Sequence, residues 1–174
     1  ILPIGSKPMI QYSVEECILS DIDEIIIVLS KDRGDIIRKY LDKNFSNKIN
    51  LKYVYQKEPR GQGHAVLQAR SLLNNEACVV IAPDDIMISE VPVIKQMMTV
   101  FKKFSNLSAL LAVTHDHDID RYGIITNAVF IEKNVYKVLD LIEKPTWALS
   151  NLAIMGRYIF TDRIFRALEK SNIN

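Results

Sequence analysis

Two adjacent acids, Asp84 and Asp85, follow the apolar run Ala77-Cys78-Val79-Val80-Ile81-Ala82 and a proline. A short apolar run rich in β-branched residues predicts a strand buried on both faces. Open α/β sheets bind ligands beyond the carboxyl ends of their strands, so these carboxylates are placed to hold a divalent metal that carries phosphate. Aspartate is equally typical of turns, where its side chain bonds backbone N–H groups. On local grounds the turn and the metal site are equal alternatives.

The segment 56–65 reads Gln-Lys-Glu-Pro-Arg-Gly-Gln-Gly-His-Ala and joins a predicted strand to a predicted helix. Its glycines, Gly61 and Gly63, and the helix N-terminus offer backbone N–H groups to an anion or to the edge of a base. The spacing is not that of a dinucleotide-binding loop or a P-loop, so a flexible connection with a glycine turn is slightly favoured. His64 has no paired Ser or Cys nucleophile, and we assign it no catalytic role.

A third polar group, Glu143-Lys144-Pro145, ends the run 138–142. Proline disfavours helical geometry at Lys144, whose ammonium group we expect to project as a point charge suited to phosphate. Strand alternation predicts that Glu143 points to the opposite side, as an acceptor for hydroxyl groups. The alternative, a solvated charge pair at a strand end, is favoured on local grounds.

Hydrophobic periodicity predicts which elements position these groups. Helices are predicted over 9–19, 35–41, 64–73, 93–104 and 162–168, and strands over 25–29, 51–55, 77–82, 109–113, 122–125, 128–131, 135–142 and 152–160. The alternation predicts an α/β fold, a Rossmann-like and mostly parallel sheet with helices on both faces. The β-rich stretch after residue 113 is expected to extend the sheet at one edge or to form a small layer over its mouth. No linker divides the chain, so one domain over 1–174 is predicted.

The composition is that of an ordinary globular protein, with 48% hydrophobic and 25% charged residues among 174. Basic and acidic residues nearly balance, at 22 and 21, so neither nucleic acid nor a membrane surface is an expected partner. Affinity for phosphate must then be local. The two cysteines, Cys17 and Cys78, fall in predicted core elements, which favours a reducing compartment and a cytoplasmic location.

Several short motifs occur in a particular order along the chain. They are Leu2-Pro3-Ile4, Lys7-Pro8-Met9-Ile10-Gln11-Tyr12, Gly61-Gln62-Gly63-His64-Ala65-Val66, Pro83-Asp84-Asp85, Arg121-Tyr122-Gly123-Ile124-Ile125, Glu143-Lys144-Pro145, Ser150-Asn151-Leu152-Ala153-Ile154 and Gly156-Arg157-Tyr158. In this order they resemble the sugar-1-phosphate nucleotidylyltransferases, most closely those that use UTP and glucose 1-phosphate. Each motif is weak alone, but their order is specific.

The resemblance implies a role for each matching position. Gln56 and Gly61 would read the uracil edge, Asp84 would hold Mg²⁺, Gly123 and Glu143 would contact the glucose, and Lys144 would bind the sugar phosphate. Asp84 and Lys144 are thereby the expected catalytic residues. The implied reaction is in-line attack by a glucose 1-phosphate oxygen on the α-phosphorus of UTP, which gives UDP-glucose and pyrophosphate. A protein supports such a transfer mainly by positioning and by neutralising charge.

The chain also departs from the family pattern. The family's glycine-rich loop, with an Arg and a Lys, lies upstream of the segment matching Leu2-Pro3-Ile4, and a further acidic metal ligand lies downstream of the last residue. Ser6 stands where Asp is usual, and the connection 146–149 looks short. We therefore expect a catalytic domain truncated at both ends that is inactive by itself, with homo-oligomerisation of the complete protein left open. The alternatives are a non-catalytic sugar-nucleotide-binding module, a thymidylyltransferase-type relative, or a glycosyltransferase of related architecture.

Overall fold

A computed structural model describes residues 2–58, 60–104 and 106–171 of the chain. The helices are α1 (Met9–Leu19), α2 (Gly34–Phe45), α3 (Gln62–Ala69), α4 (Val93–Lys103) and α5 (Asp162–Lys170). The strands are β1 (Pro3–Ile4), β2 (Lys7–Pro8), β3 (Glu24–Ser30), β4 (Asn50–Gln56), β5 (Cys78–Ile81), β6 (Ala109–His115), β7 (Gly123–Glu132), β8 (Val135–Glu143) and β9 (Leu152–Phe160). The expectation of truncated ends rests partly on Ile1 and residues 172–174, which lie outside the described residues.

The chain forms two compact units. Unit 1 comprises Ile1–Leu110 and Arg157–Asn174, and unit 2 comprises Leu111–Gly156. Unit 1 therefore contains two separate stretches of sequence, with unit 2 inserted between them. The prediction of a single domain did not anticipate this division, and it stays a prediction.

The core of unit 1 forms around β3, where alternate side chains such as Ile27 and Leu29 are buried. β3 and β4 pair in parallel from Glu24↔Asn50 to Ser30↔Gln56. α2 contacts both strands and runs four residues beyond its predicted end at residue 41, because the Phe45 ring is buried in the core. The cluster consists of Val14, Cys17, Ile27, Leu29, Leu41, Phe45, Ile49 and Ile94. Burial of such side chains is the main favourable term in folding.

Unit 1 also contains a cavity of about 650 Å³, which β3 and β5 both line. Its walls are mainly apolar side chains, including those of Val14, Met98 and Phe165. Within the described residues, β3 pairs only with β4 and β5 only with β9, so each strand has one edge without a strand partner. The predicted site residues Gln56, Gly61 and Asp84 do not line this cavity. The cavity lining and the candidate polar residues are therefore two distinct sets of residues.

In unit 2, β7 and β8 form an antiparallel hairpin from Gly123↔Glu143 to Glu132↔Val135. Asn134 in the turn has a φ of 62°, a left-handed conformation that Asn tolerates well. The two predicted strands 122–125 and 128–131 are one strand, β7, and that prediction was wrong. The polar residues Thr126 and Asn127 resembled a turn, but they lie within β7 where its register with β8 shifts.

The predicted α/β class, with helices on both faces, is confirmed. The strand pairings are mixed in direction, since β3 pairs with β4 in parallel, while β5 with β9, β7 with β8 and β7 with β9 pair antiparallel. A tight turn joins β7 to β8, so β8 returns antiparallel to β7. The local sequence pattern carries no signal for the direction in which β9 pairs with β5 and β7. Within the described parts of the chain, no helix has both the length and the apolar character that a membrane crossing requires.

Candidate functional site

Asp84 lies in a turn directly after β5. The N–H of Asp85 donates to the carbonyl of Ala82 at 3.3 Å, which closes the turn around Pro83 and Asp84. Proline suits the second position of such a turn because its φ is fixed. Asp84 is exposed and Asp85 is half-buried. The turn predicted from the sequence is therefore present, and the Asp84 carboxylate is accessible at the carboxyl end of β5.

The Ala82 carbonyl has a second donor, which the sequence argument missed. Arg157 of β9 donates from Nη1 to the Ala82 oxygen at 3.1 Å. Its Nε and Nη2 lie 2.9 and 2.8 Å from Oε2 of Glu16. Oε1 of Glu16 accepts from the N–H of Ile94 at 3.2 Å. Arg157 is 1% exposed and Glu16 8%, so a buried ion pair adjoins the turn. The sequence feature that could have revealed this pair is the presence of charged residues within the mainly apolar patterns of β9 and α1.

The glycine loop is held from inside by Gln56, the last residue of β4. Its Nε2 lies 3.4 Å from the carbonyl of Gly61 and 2.7 Å from Nδ1 of His64. Gly61 has φ 92° and ψ 178°, a region that is essentially restricted to glycine. A Cβ on Gly61 would meet nothing within 4 Å. Glycine is required here for the backbone conformation and not for space, and the loop presents exposed backbone at Gly61.

His64 bridges two glutamines and is held as a structural residue. Its Nδ1 contacts the amide of Gln56, and its Nε2 lies 3.2 Å from Nε2 of Gln68. A neutral imidazole accepts at one nitrogen and donates from the other, so one of the two amides must present its oxygen. Gln68 Nε2 also donates to the carbonyl of His64 at 3.4 Å, as Gln56 Nε2 does to that of Gly61. His64 therefore restrains the amides of both glutamines.

In unit 2, Gly123 and Glu143 are partners across the β7–β8 hairpin. A Cβ on Gly123 would lie 3.1 Å from Oε2 of Glu143 and 3.2 Å from Cδ1 of Ile154. The missing side chain thus gives the Glu143 carboxylate its position beside the start of β7. The structure brings together two residues that the family resemblance assigned to one sugar.

Lys144 adopts a left-handed conformation with φ 45°, and its N–H donates to the carbonyl of Tyr122 at 3.0 Å. Its Nζ lies 3.8 Å from Oε1 of Glu143, and both side chains are well exposed. The expectation that Glu143 and Lys144 point to opposite sides was therefore wrong. Alternation requires extended backbone, and the positive φ of Lys144 turns the two side chains towards each other.

The predicted site residues fall into two groups. Gln56, Gly61 and Asp84 belong to unit 1, and Gly123, Glu143 and Lys144 belong to unit 2. In the described ranges, no group of three or more His, Cys, Asp or Glu side chains could hold a metal ion. Mg²⁺ commonly takes one or two carboxylates and completes its shell with water and substrate phosphate, so the exposed Asp84 fits a metal that arrives with a nucleotide.

The sequence model of the family described as "Nucleotidyl transferase" matches residues 1–174. The chain belongs to this family. Among curated nucleotidyl transferases, it is similar to a UTP–glucose-1-phosphate uridylyltransferase of Bacillus subtilis, with 36% identity over 99% of this chain and 66% of the relative. A protein of the same name from Staphylococcus epidermidis is 38% identical over 97% of this chain and 66% of its own length. The resemblance seen in the motifs is confirmed.

A solved structure of a nucleotidyl transferase gives the same result for the fold. UDP-glucose pyrophosphorylase complexed with UDP-glucose superimposes with a TM-score of 0.87 at 33% identity, and the match covers 97% of this chain and 70% of that protein. The chain spans just under two thirds of the length of the curated relatives above, 66% in each case. The individual roles of the site residues stay predictions.

Proposed function

We propose that the protein carrying this chain transfers a uridylyl group from UTP to glucose 1-phosphate. The observation that carries the proposal is the similarity, across nearly the whole chain, to relatives named UTP–glucose-1-phosphate uridylyltransferase. The local geometry agrees with it, since it offers an exposed carboxylate after β5, a glycine loop with accessible backbone, and a carboxylate beside a lysine. We place this activity in the cytoplasm, in line with the two free cysteines.

The uracil end of UTP would be read by Gln56 and Gly61. The Gln56 amide is already held by its contacts with the Gly61 carbonyl and His64, so it loses little freedom on binding. Because no side chain covers Gly61, the edge of a base can approach the backbone closely. A pre-organised amide and an open backbone discriminate a base by hydrogen bonds and leave unpaired groups when the wrong base is present.

The phosphates would be met by Asp84. Its accessible carboxylate would hold Mg²⁺, which when bound offsets phosphate charge and orients the α-phosphate. The turn fixes where Asp84 emerges, so the carboxylate is positioned before the nucleotide arrives. No general base is required, because the attacking phosphate oxygen of glucose 1-phosphate is already ionised at neutral pH.

The sugar phosphate would be held by Glu143 and Lys144. The Glu143 carboxylate accepts hydrogen bonds from sugar hydroxyls, and the Lys144 ammonium offsets the charge of the phosphate. An exposed ion pair such as Glu143–Lys144 contributes little to stability, so Lys144 can leave Glu143 and bind a phosphate at little energetic cost. In the reaction, a bond forms between the sugar phosphate oxygen and the α-phosphorus of UTP. The bond from that phosphorus to pyrophosphate breaks.

The test is a turnover assay on the complete protein with UTP, glucose 1-phosphate and Mg²⁺, in which UDP-glucose and pyrophosphate are measured. Equal amounts of the two products are expected. A parallel reaction with dTTP tests the thymidylyl alternative, and faster turnover with dTTP would contradict the assignment of the base. Calorimetric titration with UDP-glucose completes the set, because heat without product would identify a binding module. Robust turnover by residues 1–174 alone would refute the expectation that they are inactive by themselves.

A further inference from the structure

We propose that Arg157 and Glu16 form a positioning pair that fixes the turn carrying Asp84. The proposal rests on the proposed function, in which Asp84 holds the metal. Neither residue would touch the substrates or the metal. Their effect would pass through one backbone group, the carbonyl of Ala82.

Arg157 reaches this carbonyl from the neighbouring strand. In the register of β5 with β9, Arg157 is the partner of Ile81, the last residue of β5. Its guanidinium therefore lies beside the point where the chain leaves the sheet. From there Nη1 donates to the oxygen of Ala82, one residue further along.

The Ala82 carbonyl accepts two hydrogen bonds, one from Arg157 and one from the N–H of Asp85. A carbonyl oxygen has two lone pairs, so the two donors together define the orientation of its peptide plane. That plane begins the turn, and Pro83 restricts the next φ. The direction in which Asp84 leaves the turn thus depends on a carbonyl that Arg157 holds.

Glu16 holds the guanidinium in place. Two of the Arg157 donors engage Oε2 of Glu16, while Oε1 is occupied by the N–H of Ile94 at the start of α4. The carboxylate is therefore fixed from two sides, and the third donor of Arg157 is directed to Ala82. The planar fork of arginine suits this task, since a lysine ammonium cannot reproduce its geometry.

A buried ion pair is by itself weak evidence of a stabilising role. Replacement of both members of a buried ion pair by apolar side chains of similar size is often neutral or stabilising. Apolar side chains cannot, however, donate to the Ala82 carbonyl. A double apolar variant therefore separates the contribution of the pair to folding from its effect on the turn.

The test compares three variants of the complete protein with the wild type. Glu16→Met/Arg157→Met removes the pair, Arg157→Lys keeps the charge without the fork, and Ile27→Val is a control for a change in the core. The first readout, which needs no substrate, is amide hydrogen exchange at Asp85. The second is the affinity for Mn²⁺ in the presence of UTP, measured by electron paramagnetic resonance. Asp84→Ala is the reference for loss of a metal ligand.

We expect faster exchange at Asp85 and a loss of Mn²⁺ affinity of about 10-fold or more in the double variant, a range typical of residues that orient a metal ligand. Arg157→Lys should show the same direction of change, and Ile27→Val neither change. Unchanged exchange at Asp85 in a folded double variant would overturn the proposal. If the double variant does not fold, Arg157→Lys decides by the same criterion. Wild-type protein without uridylyl transfer would refute the proposed function, whereas the exchange comparison would still decide on the pair.

Discussion

The carboxylate of Glu143 lies against the backbone of Gly123, where a Cβ would come within 3.1 Å of its Oε2. Gly123→Ala should displace the flexible end of Glu143, because the side chain can move more easily than β7. We expect a small change in melting temperature and a rise of about 10-fold or more in KM for glucose 1-phosphate, since small displacements of positioning groups are costly. Steady-state kinetics with varied glucose 1-phosphate measures this. An unchanged KM would remove Glu143 from the sugar site.

Glycine is required at position 61 for its backbone conformation, because the φ and ψ of Gly61 lie in a region essentially restricted to glycine. Gly61→Ala should destabilise the protein by about 1–3 kcal/mol, or shift the loop and weaken UTP binding. Gly63→Ala is the matched control, since Gly63 lies in the first turn of α3, where the backbone is helical and alanine is allowed. Thermal unfolding and UTP titration of both variants are compared. Equal behaviour of the two variants would contradict the conformational argument.

Asp84→Ala should abolish uridylyl transfer and leave the fold intact, because the side chain is exposed at a turn. The rate measured over a range of Mg²⁺ concentrations, with circular dichroism as the check on folding, tests this. Asp85→Asn is the neighbouring control and should retain turnover, as Asp85 is expected to be a turn residue. An unchanged rate for Asp84→Ala would exclude the metal role.

Lys144→Ala should raise KM for glucose 1-phosphate and change stability little, since the ion pair with Glu143 is exposed. Lys144→Gly adds a second comparison. It removes the same ammonium group but relieves the positive φ, so it should be more stable than Lys144→Ala by about 1 kcal/mol. Lys137→Ala, on the exposed β8, controls for loss of charge. If both Lys144 variants bound the sugar phosphate normally, Glu143 and Lys144 would be only a charge pair at the surface.

The thiols of Cys17 and Cys78 should be unreactive in the folded protein. Burial raises the pKa of Cys17 to about 12 and that of Cys78 to about 11. At pH 8 an alkylating reagent should label neither thiol without denaturant and both in its presence, because only the thiolate reacts.

The same pKa shifts make stability depend on pH. Above the unfolded thiol pKa of about 8.5, the unfolded chain releases protons that the folded protein retains, so stability falls as the pH rises towards the folded values. Urea unfolding midpoints measured from pH 8 to pH 10 should decline, and replacement of both cysteines by alanine should reduce this slope. Rapid labelling of native Cys17 would contradict the raised pKa.

Sequence reasoning predicted the elements whose pattern is local and uninterrupted. The limits of α1 and β9 agree with the prediction, since Pro8 marks the start of the helix and apolar residues run through the strand. β7 was divided in error, because a register shift near Asn127 imitates a turn. The direction of strand pairing was also missed, because it depends on which distant strands become neighbours.

In the candidate site, too, only the features that depend on local residue types were predicted from the sequence. The turn at Asp84 and the conformation of Gly61 follow from residue types that turns and glycine loops require. The mutual orientation of Glu143 and Lys144 does not, because one positive φ reverses the alternation that a strand would impose. The contact of Arg157 with Glu16 joins residues 141 positions apart, and no local pattern predicts such a partner.

The insertion of unit 2 into unit 1 also fixes an order of events during synthesis. Glu16 leaves the ribosome early, but its partner Arg157 follows only after Leu111–Gly156 has been made. Chains emerge at about 5–20 residues per second, so β9 follows α1 by about 7–27 s and β5 by about 4–14 s. Until β9 emerges unit 1 lacks its closing strand, whereas the β7–β8 hairpin has both of its strands once Glu143 has been made. The nascent chain can therefore complete this hairpin of unit 2 before unit 1, the unit that began first.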